Sequence, residues 1–212
     1  WSIVVAASDF DDGILKYTIT SPENLEVQCD GFTDAHINDE SVVIPETVNY
    51  NNSTYSVVSI SDAFTYCSNL TSLVISFGVR TIGYGAFFGC RGLTTLNIPS
   101  SVTSIGEVAF YDCTSMTSLK LPYSDTTITK PAFGGCSSLT SLNIPSSLSS
   151  ISDGAFSNCS GLTSLDIPSS VTSIGESAFA GCSSLTSLDV PSSFRCIDET
   201  AIPGCSSVTS MN

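Results

Sequence analysis

Hydrophobic positions along this chain fall into rows that recur every 23 residues. Cys67, Cys90, Cys113, Cys136, Cys159, Cys182 and Cys205 form one row. Phe64, Phe87, Phe110, Phe133, Phe156 and Phe179 form a second, beside alanines running from Ala63 to Ala201. Downstream come Leu70, Leu93, Met116, Leu139, Leu162, Leu185 and Val208, then Leu73, Leu96, Leu119, Leu142, Leu165, Leu188 and Met211. A fixed period of this length with L-x-x-L-x-L spacing marks stacked supersecondary units. Within one unit, Leu142 and Ile144 alternate with Ser141 and Asn143, the period of a strand with one buried face. Pro145 stops that strand, since it has no N–H for the next coil's ladder. Leu148 and Ile151 turn inward on the return, and Ala155 and Phe156 fill the interior. The non-strand part of each coil is short and rich in Ser, Thr and Gly, so long helices are not expected. Coils stacked at about 4.8 Å place each row against itself, and seven of them span roughly 34 Å. The predicted architecture is a mostly-β solenoid, a right-handed superhelix with a parallel concave sheet and short 3₁₀, turn or strand segments on the other faces.

The first part of the chain departs from this period. Leu15–Ile19 and Leu25–Val27 alternate as strands around a turn at Ser21-Pro22-Glu23-Asn24. Val43-Ile44-Pro45 reads as an incomplete coil, and a hairpin is inserted after it: Val48-Asn49-Tyr50, a turn at Asn51-Asn52-Ser53, and Tyr55–Val58. Residues 1–55 are therefore read as an N-terminal β cap with an inserted hairpin, covering a sheet edge, and 56–212 as the solenoid. At the other end, Val208–Asn212 begins a further strand with no capping segment after it. Either a longer parent chain or end-to-end self-association is expected there.

Composition narrows the function. The formal net charge is −14, with Lys16, Arg80, Arg91, Lys120, Lys130 and Arg195 the only basic side chains besides His36. Such a surface cannot neutralise phosphates, which disfavours nucleic acid and anionic membranes as partners. No apolar run reaches the roughly 18 residues of a membrane span. The start at Trp1 lacks a basic n-region, so no intact signal peptide is expected. Nine cysteines invite a disulfide reading, but neighbouring rungs have near-parallel Cβ vectors that strain a bridge, so the ladder is read as buried free thiols. Its spacing fits no zinc site. Cys29 and Cys196 lie off the ladder and are read as candidate exposed thiols.

The units Leu139-Thr-Ser-Leu-Asn-Ile-Pro-Ser-Ser and Val171-Thr-Ser-Ile-Gly-Glu-Ser-Ala-Phe-Ala-Gly-Cys-Ser-Ser resemble the BspA-type, or Treponema pallidum-type, leucine-rich repeat. The resemblance covers about residues 56–212 and implies a leucine-rich-repeat solenoid. It also implies a secreted or cell-surface protein of a host-associated bacterium or a protist, adhering to host matrix proteins such as fibronectin and fibrinogen or to another microbial surface protein. Ser76 replaces the strand-ending proline in the first full coil, and Ile202 replaces phenylalanine in the last. The coil from Cys113 to Gly135 diverges most: Pro122-Tyr-Ser-Asp125 puts a charge where a core residue normally sits, as a local bulge or a binding hot spot.

Function is expected where the repeat tolerates variation. Residues flanking the second leucine point outward from the strand. One row is Ser72, Thr95, Ser118, Ser141, Ser164 and Ser187; the other is Val74, Asn97, Lys120, Asn143, Asp166 and Asp189. From Thr95 to Asp189 these are the candidate binding residues, against the alternative of a merely solvated sheet face. Catalysis has little support: a Cys29–His36 dyad is conceivable but weak, and Asp9-Phe-Asp11-Asp12-Gly13 lacks the glutamate and glycine positions of an EF-hand. No cofactor and no metal are expected. Asn51, Asn52, Asn69 and Asn158 head glycosylation sequons that matter only in a eukaryotic secretory pathway. The expected role is non-enzymatic recognition or adhesion. The alternatives are a structural subunit stacking through its last coil, or a repetitive surface for glycan or ice, for which the threonine row from Thr71 to Thr209 is the candidate.

Overall fold

The computed structural model describes residues 9–123, 126–189, 201 and 210–211. Two parallel ladders run its length. The first contains, in spatial order, Ser41–Ile44, Ser72–Ile75, Thr95–Asn97, Ser118–Lys120, Ser141–Asn143, Ser164–Asp166, Ser187–Asp189 and Ser210–Met211. The second contains Glu26–Phe32, Ser53–Ile60, Thr81–Ile82, Ser104–Ile105 and Thr127–Ile128; Ser150–Ile151 and Ser173–Ile174 continue it as a separate pair. Together they make a mostly-β solenoid of about six turns, with no α-helix among the described residues. The seventh coil expected from the sequence lies mostly outside those residues, as do Asp125, Cys196, Ile202 and Cys205.

Strict register converts the sequence period into packing. Leu96 pairs with Leu119 and Leu142 with Leu165, each 23 residues on. The phenylalanine row becomes a column of parallel rings from Phe64 to Phe179, with centroids 5.0 to 5.7 Å apart and interplanar angles of 1° to 7°. The spacing follows the coil step, so stacking repeats without any ring having to adapt. Phe32 meets the column's first ring edge-on, at 5.0 Å and 88°. One contiguous core extends from Leu15 to Leu188.

The cysteine row does more than fill space. The thiol of Cys90 donates to the carbonyl of Phe64 at 3.1 Å, and Cys113, Cys136, Cys159 and Cys182 repeat the bond to Phe87, Phe110, Phe133 and Phe156 at 3.4 to 3.5 Å. Each thiol thus satisfies a carbonyl of the preceding coil inside the core, which alanine or valine could not do. Burial pushes the Cys90 thiol up to about 12 and raises Cys113 as well; Cys159 is raised first by its contact with the Cys136 thiol and then by burial. The described cysteines are all unbridged. On the outside, threonine hydroxyls repeat the same coil-to-coil bonding: Thr94, Thr117, Thr163 and Thr186 donate to Thr71, Thr94, Thr140 and Thr163 carbonyls at 3.1 to 3.4 Å. These four threonines of the row thus stitch neighbouring coils together.

The N-terminal part is joined to the solenoid differently from a simple cap with an insertion. Asp9–Asp11 pairs antiparallel with Leu15–Ser21, which pairs antiparallel with Glu26–Phe32, and that strand in turn pairs parallel with Ser53–Ile60. They extend the second ladder, while Ser41–Ile44 forms the edge of the first. The hairpin turns on Asn51 and Asn52, both at positive φ, with Ser53 already in the strand. Its second strand, Ser53–Ile60, is not a separate insertion. It pairs with Thr47–Tyr50, with Glu26–Phe32 and with Thr81–Ile82, and so begins the second ladder itself. At the junction, Gly31 has φ 104°, and a Cβ there would lie 2.1 Å from the Ala63 carbonyl oxygen. Only glycine permits this approach.

Two outcomes follow from this packing. Phe133→Ala should cost about 3–5 kcal/mol in a denaturant titration, because both ring neighbours lose a face and the cavity cannot close against rigid coils. Alkaline stability should also fall in a defined window. A thiol raised to about 12 in the fold, against 9.0 ordinarily, contributes stability that is complete below pH 9 and lost as pH rises toward 12. Midpoints measured across that range should drop, and Cys90 and Cys113 should resist iodoacetamide until the chain unfolds. Rapid alkylation of folded protein at those two cysteines would be inconsistent with their placement.

Candidate functional site

Alternation in the first ladder sends one residue of each strand inward and its neighbours out. Leu96, Leu119, Leu142, Leu165 and Leu188 are buried. Thr95, Asn97, Ser118, Lys120, Ser141, Asn143, Ser164, Asp166 and Asp189 are exposed, and Ser187 is half-buried. The structure therefore brings the sequence-predicted residues onto one face. Asn97, Lys120, Asn143, Asp166 and Asp189 form a continuous registered column across five coils.

The column begins earlier than its polar members. Val43 is registered against Val74, and they are 58% and 50% exposed. Phe77, just beyond the same strand, is 64% exposed. Large apolar side chains at such exposure are not core, so this end of the face presents grease to solvent. Val43 was legible in principle, because alternation within Ser41–Ile44 leaves it outward. The incomplete first coil, 31 residues from Val42 to its partner Leu73, hides it from a 23-residue search. Along its length the face changes from apolar at Val43 and Val74, through neutral Asn97, to cationic Lys120. Further along are Asp166 and Asp189, registered neighbours with carboxylates on adjacent rungs.

In the middle of the face, Ser118–Lys120 meets Ser141–Asn143 through the registered pair Lys120 and Asn143. A cleft of about 260 Å³ opens there, lined by Ser118, Lys120, Leu121, Tyr123, Ser141, Asn143 and Pro145. The Lys120 ammonium lies 5.8 Å from the Tyr123 ring centroid, a cation–π distance, and Tyr123 is itself 62% exposed. Next to it, Thr126 is buried and donates to the Val102 carbonyl at 2.8 Å. The divergent coil thus places a threonine hydroxyl in the interior beside the expected charge position, with its polarity satisfied.

The residues considered for chemistry are otherwise engaged. Cys29 is buried, contrary to its reading as a candidate exposed thiol, because it lies on an inward position of Glu26–Phe32, a strand of the second ladder. Burial pushes its thiol up to about 12, so it is protonated near neutral pH and a poor nucleophile. His36 Nδ1 is bonded to the Asp39 carboxylate at 2.8 Å. Asp12 accepts the N–H groups of Ile14 and Leu15 and the hydroxyl of Tyr17, and Asp11 accepts the N–H of Gly13. These carboxylates build a turn, and no group of three or more metal-ligating side chains is found among the described residues.

Comparison with known proteins agrees with this architecture. The family model for the BspA-type leucine-rich repeat region matches in six copies, over residues 59–182 and 106–212. No curated protein sequence gives a significant match. Among solved structures, a leucine-rich repeat protein from Bacteroides ovatus is 31% identical over 96% of this chain and 47% of that one, with a TM-score of 0.67. The present chain thus spans about half of that relative's length. The T. pallidum leucine-rich repeat protein is 24% identical over 95% of this chain and 91% of its own, at a TM-score of 0.77. A leucine-rich cell surface protein from Faecalibacterium prausnitzii is 24% identical over 96% and 70%, at 0.66. With its 23-residue coils, thiol and phenylalanine columns and matching repeat model, the chain belongs to the BspA-type leucine-rich repeat family.

Proposed function

We propose that this chain is a non-enzymatic recognition module, displayed at a cell surface or secreted, that binds a protein partner through the outward face of its first ladder. The observation that carries the reading is the graded column from Val43 to Asp189 with a cleft at Lys120 and Tyr123. A rigid sheet presents these side chains at fixed spacing, so little ordering is needed on binding. Apolar Val43, Val74 and Phe77 provide area that excludes water. Lys120, Asp166 and Asp189 provide charge to select and orient a partner. Surface display is supported by the family, whose members are often cell-surface proteins, and by the description of the Faecalibacterium relative. The partner class is a host matrix protein or a surface protein of another microbe.

Immobilised chain should capture such a protein from a panel of purified matrix proteins, with a glycan array run in parallel. Val74→Asp, or Lys120→Glu combined with Asp166→Lys, should weaken capture at least tenfold while leaving thermal stability within about 0.5 kcal/mol, since these side chains are exposed. Capture unchanged by both variants would rule out this face, and binding confined to glycans would replace the protein partner.

A further inference from the structure

A second surface, away from the first ladder, carries features that the recognition face does not explain. Tyr66, Phe88 and Tyr111 lie in a line over three coils. Tyr66 meets Phe88 edge-on at 5.1 Å, and Phe88 stacks on Tyr111 at 5.7 Å and 7°. Unlike the buried phenylalanine column, this line is at the surface: Tyr66 is 65% exposed, and Phe88 and Tyr111 are half-buried. Tyr84, 66% exposed, stands across from it. Between them is a cleft of about 290 Å³ lined by Asp62, Thr65, Tyr66, Tyr84, Gly85, Phe88 and Val108.

We infer that this cleft is a binding site for a cationic side chain, a lysine or arginine presented by a basic peptide segment of a partner. Aromatic faces carry negative quadrupole potential and attract ammonium and guanidinium groups. The charged group that lines the cleft, Asp62, has the complementary sign. Arg91, whose charge Tyr66 also feels, is held by two bonds to the Asp112 carboxylate, which offsets it. The chain as a whole, at −14, draws a basic segment toward the surface. A neutral sugar would stack on the same rings but would leave the attraction of the rings and Asp62 for a positive charge unused.

The site is independent of the first-ladder face and can be tested alone. The probe is a fluorescent peptide with one lysine and one arginine in a Gly-Ser background, titrated at physiological salt. The parallel probe is a neutral hexose hexamer. Removing rings without altering charge separates the cleft from general attraction to an acidic protein. Tyr66→Ala with Tyr84→Ala should weaken peptide binding at least tenfold, whereas Tyr66→Phe with Tyr84→Phe should stay within threefold of the unaltered protein. Tyr66 packs over Gly89, so Tyr84→Ala alone serves as a second variant and should weaken binding at least threefold. Asp62→Asn should weaken binding and flatten its salt dependence. Equal affinity in the ring-deleted proteins would overturn the inference. So would binding of the hexamer in preference to the peptide, or a dimer in sedimentation that Tyr84→Ala dissolves, since the occupant would then be a glycan or a second copy.

Discussion

Like-on-like stacking at a single coil step is the constraint from which the rest of this molecule follows. Whatever a coil places at a given height must tolerate its own copy one step away. Flat rings do so by stacking, thiols by bonding to the preceding coil's carbonyl, and threonines by the same bond on the outside. A charge inside would not, since identical charges would then face each other in a low-dielectric core. Charges on adjacent coils accordingly lie at the surface, and some of them form complementary pairs. Arg91 pairs with Asp112 and Lys130 with Asp153, the second pair also holding the Asp153 carboxyl below its usual range.

The same constraint decides where function is available. Inward rows are committed to packing, and the bonded threonines to stitching, so variation is tolerated only at outward positions and where a coil departs from the rule. Both surfaces identified here are of that kind. The first-ladder column varies in chemistry from rung to rung without disturbing the leucines behind it. The Lys120–Tyr123 cleft opens at the divergent coil. The aromatic cleft forms where Tyr66, rather than the repeat-equivalent Thr65, supplies the ring that meets Phe88.

Legibility in the sequence divided along this line. The inward rows, the strand positions and the outward candidates from Thr95 to Asp189 were readable, because each is sampled several times by the period and errors in one coil are corrected by the others. Non-repeating features were not. The three-sided pairing of Ser53–Ile60, the burial of Cys29 and the outward exposure of Val43 depend on contacts made once, across an irregular coil. The thiol bonds were invisible for another reason. A periodic cysteine looks the same in sequence whether it fills volume or donates a proton, and only the carbonyl opposite distinguishes them.

If coils are stabilised by their neighbours alone, coupling between phenylalanine rungs should end at the adjacent coil. A double-mutant cycle tests this most directly, using Phe→Leu changes at Phe133 and Phe156 and, for comparison, at Phe87 and Phe156. The account predicts a coupling of about 0.5 kcal/mol or more for the adjacent pair and additivity within about 0.3–0.5 kcal/mol for the pair three coils apart. Equal coupling in both pairs, or none in the adjacent one, would contradict it.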